Sequence, residues 1–510
     1  MSTVPVSVAP SGPDPARAGA PVRPYPALYQ INTRVLMRSL GHELNRPVTL
    51  NEFPDAELDR LATLGFDWIW LLGVWQTGSA GRNVSLQNSE WRREFQQLLP
   101  DFHDDDVCGS CFAISSYTVH SEFGGNAALD RLRSRIHKRG MRLLLDFVPN
   151  HTAPDHPWVL QHPEYYVHGT EAQLEREPQN YTRVKTASGS GIRAYGRDPY
   201  FSGWPDTLQL NYANPAVQEA MTGELENIAA LCDGVRCDMA MLILPDVFER
   251  TWGLRPASFW PRAIDRVRAL RPGFLFMAEV YWDLEWTLQQ QGFDYTYDKR
   301  LYDRLREGHA RPVRDHFRAD MDFQRKSARF LENHDEPRAA SAFAPAVHDA
   351  AAVLTFLSPG LRFLHQGQME GCTRRIPVHL SRGPTEPRDP ARFEFYDRLL
   401  TCMRHPSVEA NWQLLECSPA WEGNWTWDCF IGFGWRGPGN APLVIAVNYA
   451  ANQSQCYLRI PFEELRNKNL TFRDLMSPSV YQRNGAEILS HGLYLDMPAW
   501  GYHVFELLEE

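Results

Sequence analysis

The 510-residue sequence carries no excess of basic charge: 62 Asp and Glu outnumber 52 Lys and Arg, for a formal net charge of −10. Nothing is left over to neutralise a phosphate backbone, which argues against nucleic acid as the main partner. No apolar run approaches the ~20 residues needed to span a bilayer, so a membrane is not expected as a partner either. Residues 1–24 are rich in Pro, Ala and Val but lack a cationic start and an apolar segment. A disordered tail is expected there rather than a secretory signal. The nine cysteines are an odd count, which is no disulfide framework. Cys108 and Cys111 form a lone C-x-x-C with no second pair and no His set beside it, and read as structural rather than zinc-binding or redox. Reduced thiols make the cytoplasm the expected location. No tandem copy of any segment is present.

What the sequence does contain is ample material for a large core, with 43% hydrophobic and 22% charged residues. The length allows about three domains. Aromatic residues reach 12%, with 16 Trp. Most of these serve as core, but flat faces edged with donors also suit sugar clefts. Eight short apolar runs have the character of buried parallel strands: 27–31, 66–74, 141–148, 234–237, 274–279, 293–297, 328–332 and 361–365. Amphipathic segments lie between several of them. Leu58, Leu61 and Leu64 share a face, started by Pro54 and Asp55 and stopped by Gly65. Leu129, Leu132 and Ile136 repeat the pattern up to Gly140. Eight such alternations predict an α/β fold, a closed (β/α)8 TIM barrel over residues 25–400 with its chemistry at the C-terminal strand ends. Residues 151–212, rich in Pro, Tyr, Gly and Arg, read as an inserted excursion (B) domain after strand 3. From 413 to 510 the pattern turns all-β, predicting a separate C-terminal β-sandwich.

The strand ends collect acids. Asp146 closes the third run, Arg236 and Asp238 the fourth, Glu279 the fifth, and the seventh leads into His334 and Asp335. One carboxylate at a strand end is ordinarily loop solvation or a helix cap. Four acids, an Arg and two His (His151 and His334) on one rim point to chemistry. Hydrolysis of a glycoside needs two carboxyl groups flanking the scissile bond, one ionised and one protonated. Asp238 and Glu279 end neighbouring strands and fit the closer spacing of retaining enzymes. Arg236, two residues before Asp238, falls on the same side of its strand and favours the charged aspartate. Glu279 follows Phe274, Leu275, Phe276 and Met277, and an apolar setting there would suit a general acid.

The runs DFVPNH (146–151), GVRCD (234–238), EV (279–280) and ENHD (332–335) resemble, in order and spacing, the signature regions of the α-amylase family, glycoside hydrolase family 13. YTVHSEFGG (117–125), WPDTLQLNYANPAV (204–217) and GLRFLHQGQMEG (360–371) extend the likeness over residues 25–400. The resemblance implies Asp238 as nucleophile, Glu279 as acid/base and Asp335 as the residue gripping ring hydroxyls and favouring the distorted transition state. It implies that His151, His334 and Asp146 bind the same sugar ring. Asn150 corresponds to a residue that is structural or a calcium ligand in the family. The reaction requires no cofactor, and calcium stays open.

Two departures stand out. After the nucleophile the chain reads Met239, Ala240, Met241, Leu242, where many members carry Lys-His; this makes the acceptor side more apolar and weakens the case for the usual calcium. Phe112 stands where relatives place a stacking Tyr, and either stacks under the sugar or simply packs. Trp75, Trp204 and Trp282 are expected in loops at the active rim, Trp282 as a platform for the leaving group. The acidic run 103–106 reads as a solvated loop, and Arg374 and Arg375 as surface ion-pair residues. The expected activity is hydrolysis of an α-glucosidic bond in a short oligosaccharide or α-glucan by a covalent glycosyl-enzyme. A transglycosylase at the same site is the second reading, favoured by a dry acceptor side. A silent binding subunit is the third, opposed by the presence of all three acids.

Overall fold

The computed structural model describes residues 23–186 and 189–509; residues 1–22 of the expected tail lie outside the described residues. Eight parallel strands close a barrel: β1 (Ala27–Asn32), β2 (Trp68–Leu72), β3 (Arg142–Phe147), β4 (Gly234–Cys237), β5 (Leu275–Ala278), β6 (Tyr295–Tyr297), β7 (Ser327–Arg329) and β8 (Leu361–His365). Each neighbours the next in the chain, and β8 pairs with β1. The strands are almost wholly buried because one face meets the barrel interior and the other the helices. The helix α1 (Asp55–Leu64) shows how the outer ring forms. Pro54 occupies the N-cap position, Leu58, Leu61 and Leu64 are buried, and Gly65 ends the helix at φ 88°. A Cβ at Gly65 would lie 2.6 Å from Arg404 Cδ.

Beyond β3 the chain makes an excursion. His151–Thr152 pairs antiparallel with Leu208–Gln209, and Tyr181–Thr186 with Gly189–Ala194. The C-terminal part is a six-stranded sheet with a three-stranded sheet. Its residues Ile431, Phe433, Trp435, Val447 and Tyr449 belong to the same continuous apolar core as the barrel. Among the described residues no helix is long and apolar enough to cross a membrane.

Register places the chemistry. Asp146 lies opposite Arg236 between β3 and β4, and Cys237 opposite Ala278 between β4 and β5. The next residues along, Asp238 and Glu279, extend that ladder: Asp238 N donates to Phe147 O at 2.8 Å and Glu279 N to Cys237 O at 3.0 Å. The two acids therefore leave adjacent strands at one level.

Candidate active site

Arg236 is fully buried, with its guanidinium 5.4, 5.2 and 5.8 Å from the ring centres of Trp70, Phe112 and Tyr297. Its Nη1 donates to Asp238 Oδ1 at 2.8 Å and its Nη2 to Glu279 Oε2 at 2.6 Å. One rigid, planar cation thus holds both acids, a geometry an ammonium could not supply. Asp146 Oδ1 lies 3.7 Å from the same Nη1. Asp335 completes the group from the β7 loop. Asn333 Oδ1 accepts from the Asp335 and Glu336 amides, both at 2.9 Å, and this Asx turn fixes where Asp335 points. Glu332, fully buried, accepts from Arg338 and from the Ala339 amide and secures the loop from behind.

Burial, opposed by Arg236 but reinforced by Glu279, Asp335 and Asp146, pushes the Asp238 carboxyl up to about 8. Arg236 favours the charged form of Asp238, but three further acids crowd the same cation, so the group as a whole takes up a proton that belongs to no single carboxyl. A cluster so composed retains a proton near neutrality, which is the protonation state that acid–base work between two carboxyls needs. Asp335 is more open, with 44% of its side chain exposed. Withdrawal from water works against its charge, but His334, then Arg236 and Arg375, hold its carboxyl down to about 2. Gln30 Nε2 lies 2.9 Å from His334 Nδ1, and His334 Nε2 lies 3.0 Å from Asp335 Oδ2.

Glu279 does not sit in an apolar pocket. Strand alternation turns Phe274 and Phe276 to the opposite face, where they pack on one another. The carboxylate instead meets three donors: Arg236 Nη2, the Met239 amide at 2.8 Å on Oε2, and the Tyr281 hydroxyl at 2.8 Å on Oε1. Met239 reaches Oε2 only because its backbone is left-handed, at φ 40°. That conformation costs about 1–3 kcal/mol in a non-glycine residue and is concentrated at functional sites.

Buried polar atoms around this rim without a hydrogen-bond partner among the described residues include Asp146 Oδ1, His151 Nε2 and His334 Nε2. Burial pushes the Asp146 carboxyl up against the pull of Arg236, and pushes the His151 ring down to about 4, so His151 is neutral. Asp146 is steadied by the Gly73 amide at 3.2 Å. Gly73 adopts φ 77°, and a Cβ there would meet Cys111 Cβ at 2.8 Å. Cys111 and Cys108 thus belong to the support of the site. Cys108 Sγ accepts from Arg34 Nη1 at 3.2 Å, and Arg34 Nε donates to Gly73 O at 3.3 Å.

Phe112 is half-buried, packed between Arg236 and His334 (5.5 Å between rings). Trp282 lies on the far side of Tyr281, with its ring edge-on to Tyr200 at 5.0 Å, and lines a cleft of about 490 Å³ with Asp283, Arg300 and Arg304. Trp204 stands 5.4 Å from His151. Trp75 is not at the surface of the rim: it is fully buried and donates from its indole to Asp146 O at 2.7 Å. The apolar run after Asp238 also faces elsewhere than expected. Residues Ala240–Ile243 form a buried 3-10 turn packed into the core, and only Met239 is partly open. Asp104 and Asp106 bind arginines: Arg92 donates to Asp104, and Arg382 and Arg38 lie against Asp106. Arg375 pairs with Glu94.

The Asn150 environment does not fit calcium. Gln209 Nε2 donates to Asn150 Oδ1, Asn150 O and Leu210 O at 2.9, 2.9 and 3.1 Å. An amide N–H therefore occupies the point on which these oxygens converge. Among the described residues no group of three or more His, Cys, Asp or Glu is placed to hold a metal. Gln30, Trp70, Tyr297, Gln209 and Tyr281 were not identified from sequence. A polar Gln30 within an otherwise apolar strand run, and Tyr281 two residues beyond a key acid, were the available signals.

Comparison with known proteins agrees with this geometry. A family model for the alpha amylase catalytic domain matches residues 55–388. Alpha-amylase 3 of Dictyoglomus thermophilum is 23% identical over 295 residues, 52% of this chain and 55% of that protein. The alpha-1,4-glucan:maltose-1-phosphate maltosyltransferase of Arcanobacterium haemolyticum is 25% identical over 244 residues, 47% of this chain and 30% of that protein. The chain thus matches about half the length, or less, of these relatives. The fold resembles the crystal structure of the maltogenic alpha-amylase AmyB from Thermotoga neapolitana, with a TM-score of 0.68 at 19% identity, covering 95% of this chain and 99% of that one. With the catalytic-domain model matching residues 55–388, more than half of the chain, and four acids gathered on one barrel rim, the chain belongs to the α-amylase family.

Proposed function

We propose that the protein is a retaining α-glycoside hydrolase acting on α-glucosidic bonds of a short oligosaccharide or α-glucan. The observation that carries this reading is the single guanidinium of Arg236 shared between Asp238 and Glu279 at 2.8 and 2.6 Å. It keeps the carboxyls close, as a double-displacement mechanism requires, rather than leaving a water-sized gap. In the first step, with the proton of the coupled acids on Glu279 and Asp238 ionised, Asp238 Oδ attacks C1 of the sugar, the bond from C1 to the glycosidic oxygen breaks, and Glu279 gives its proton to that oxygen. In the second step water adds to C1, Glu279 takes the water proton, and the ester bond to Asp238 breaks. Asp335, His334, Asp146 and His151 face the same ring, the last two through atoms that lack a protein partner. Phe112 forms part of the floor, and Trp282 the wall towards the leaving group.

A transglycosylase would differ only in using a sugar hydroxyl in the second step. The packing of Ala240–Ile243 into the core removes the dry acceptor wall that favoured transfer, so hydrolysis is the first reading. The free state of all nine cysteines suits a reducing, cytoplasmic compartment. The amide clamp at Asn150 suits an enzyme without calcium at that position. The test is early-time NMR of the products from a panel of α-linked sugars, with wild type and Asp238→Asn. Wild type is expected to release the α-anomer, and D238N to lose turnover by roughly a thousandfold or more while remaining folded. A β-anomer as first product, or near-native turnover in D238N, would overturn the assignment.

A further inference from the structure

The two oxygens of Glu279 are held in unlike ways. Oε2 accepts from Arg236 Nη2 at 2.6 Å and from the Met239 amide at 2.8 Å. Neither donor can turn round and accept, so a proton on Oε2 would face two N–H groups. Oε1 is met by the Tyr281 hydroxyl alone, at 2.8 Å, and a hydroxyl is both donor and acceptor. The turn that delivers Tyr281 is built for a fixed position. Trp282 and Asp283 are both left-handed, at φ 64° and 60°, Arg300 pairs with Asp283, and Tyr200 packs edge-on against Trp282. Burial and the nearby acids hold the Tyr281 hydroxyl well above its ordinary range, so it keeps its proton wherever the enzyme works.

We infer that Tyr281 is a positioning residue for proton transfer, confining the mobile proton to Glu279 Oε1 and stabilising the charge left on that oxygen as the proton departs. This rests on the glycosidase reading. In the first step the Oε1–H bond breaks, the proton goes to the glycosidic oxygen with the electron pair of the broken C1–O bond, and the Tyr281 O–H donates to the carboxylate so formed. Hydrogen bonds to an ionised acceptor are the stronger ones, so the interaction gains as the transition state is approached. It matters most where the leaving group needs a full proton. The other charged groups around the carboxyl, Arg236, Asp238, Asp335 and Asp146, with His334 beside Asp335 and the Tyr297 hydroxyl 3.3 Å from Arg236 Nε, are unchanged by removing this hydroxyl.

The experiment compares wild type with Tyr281→Phe on two substrates, an alkyl α-glucoside and an α-glucoside of an activated nitrophenol. The expected result is a fall in kcat/KM of about ten- to a hundredfold on the alkyl substrate, the effect of losing one hydrogen bond to a charged group. The first-step rate on the activated substrate should stay within about twofold, which also shows that the variant is folded. The alkaline limb of the alkyl profile should move upward by about one pH unit. Equal losses on both substrates, or an unmoved alkaline limb, overturn the inference while leaving the glycosidase reading intact. A wild type inert on both substrates removes the glycosidase reading, and the inference with it.

Discussion

At the scale of single residues, Arg236 sets the terms of the site. It is buried under three rings, and its two terminal nitrogens are divided between two acids. Lysine preserves the charge but offers one point instead of a fork. Arg236→Lys is therefore expected to lower kcat by about a hundredfold, the scale of a 1 Å misplacement of catalytic groups. Steady-state kinetics alongside a melting curve would test it; a kcat within twofold of wild type would show that the fork is unimportant. The positions of Asp238, Glu279 and Asp335 are legible in sequence because each lies just beyond an apolar strand run, and that of Arg236 because it sits within one, two residues before Asp238. Their environment is less so. Nothing in the pattern marks the left-handed turns at Met239 and at Trp282–Asp283 that bring an amide and a hydroxyl onto Glu279. Apolar neighbours in sequence suggest an apolar pocket, whereas alternation sends Phe274 and Phe276 to the other face and three donors meet the carboxylate.

At the scale of elements, each barrel strand overlaps a run recognised by composition, since burial on both faces favours apolar residues and confines the polar ones, such as Gln30, Asp146 and Arg236, to positions with specific partners. In the C-terminal sheets the same logic fails where burial fails. Val480–Asn484 is exposed along its length and shows no alternation to read. The turn Ala240–Ile243 shows the converse error: its apolar side chains marked core, not a dry acceptor wall. The excursion strand Leu208–Gln209 carries a further consequence. Gln209 cross-links Asn150 and Leu210 through one amide, and its removal would strand buried acceptors. Gln209→Ala is expected to lower stability by about 1–3 kcal/mol by denaturant titration. A chelator or millimolar calcium, by contrast, should leave the wild-type Tm unchanged within a degree. A calcium-dependent rise in Tm would contradict the reading that the amide fills the cation's place.

At the scale of the whole molecule, the sandwich is fastened to the barrel by more than a linker. Trp435 donates from its indole to Leu357 O at 2.7 Å, and Tyr449 donates to Leu305 O at 2.7 Å, both from buried positions. Arg314, in a barrel helix, donates to Asp428 O and Phe430 O at 3.0 Å each and binds the Asp428 carboxylate. Trp427 lies 5.9 Å from its guanidinium. Domains joined by small polar contacts unfold separately, whereas a large apolar interface couples them. Here one side of the large C-terminal sheet, with Ile431, Phe433, Trp435, Val447 and Tyr449, joins the barrel's apolar cluster, while the interior of the sandwich, with Phe430, Val444, Leu458 and Phe472, forms a cluster of its own. Scanning calorimetry should accordingly give one transition for barrel and sandwich together. Arg314→Ala, which removes the donor to two carbonyls and leaves the Asp428 carboxylate with Arg311 alone, should lower stability by about 1–3 kcal/mol and shift that single transition rather than split it. A separate, earlier transition assignable to the sandwich would mean that the interface is dispensable; its absence would mean that the rim holding Asp238, Glu279 and Asp335 depends on the sandwich for its stability.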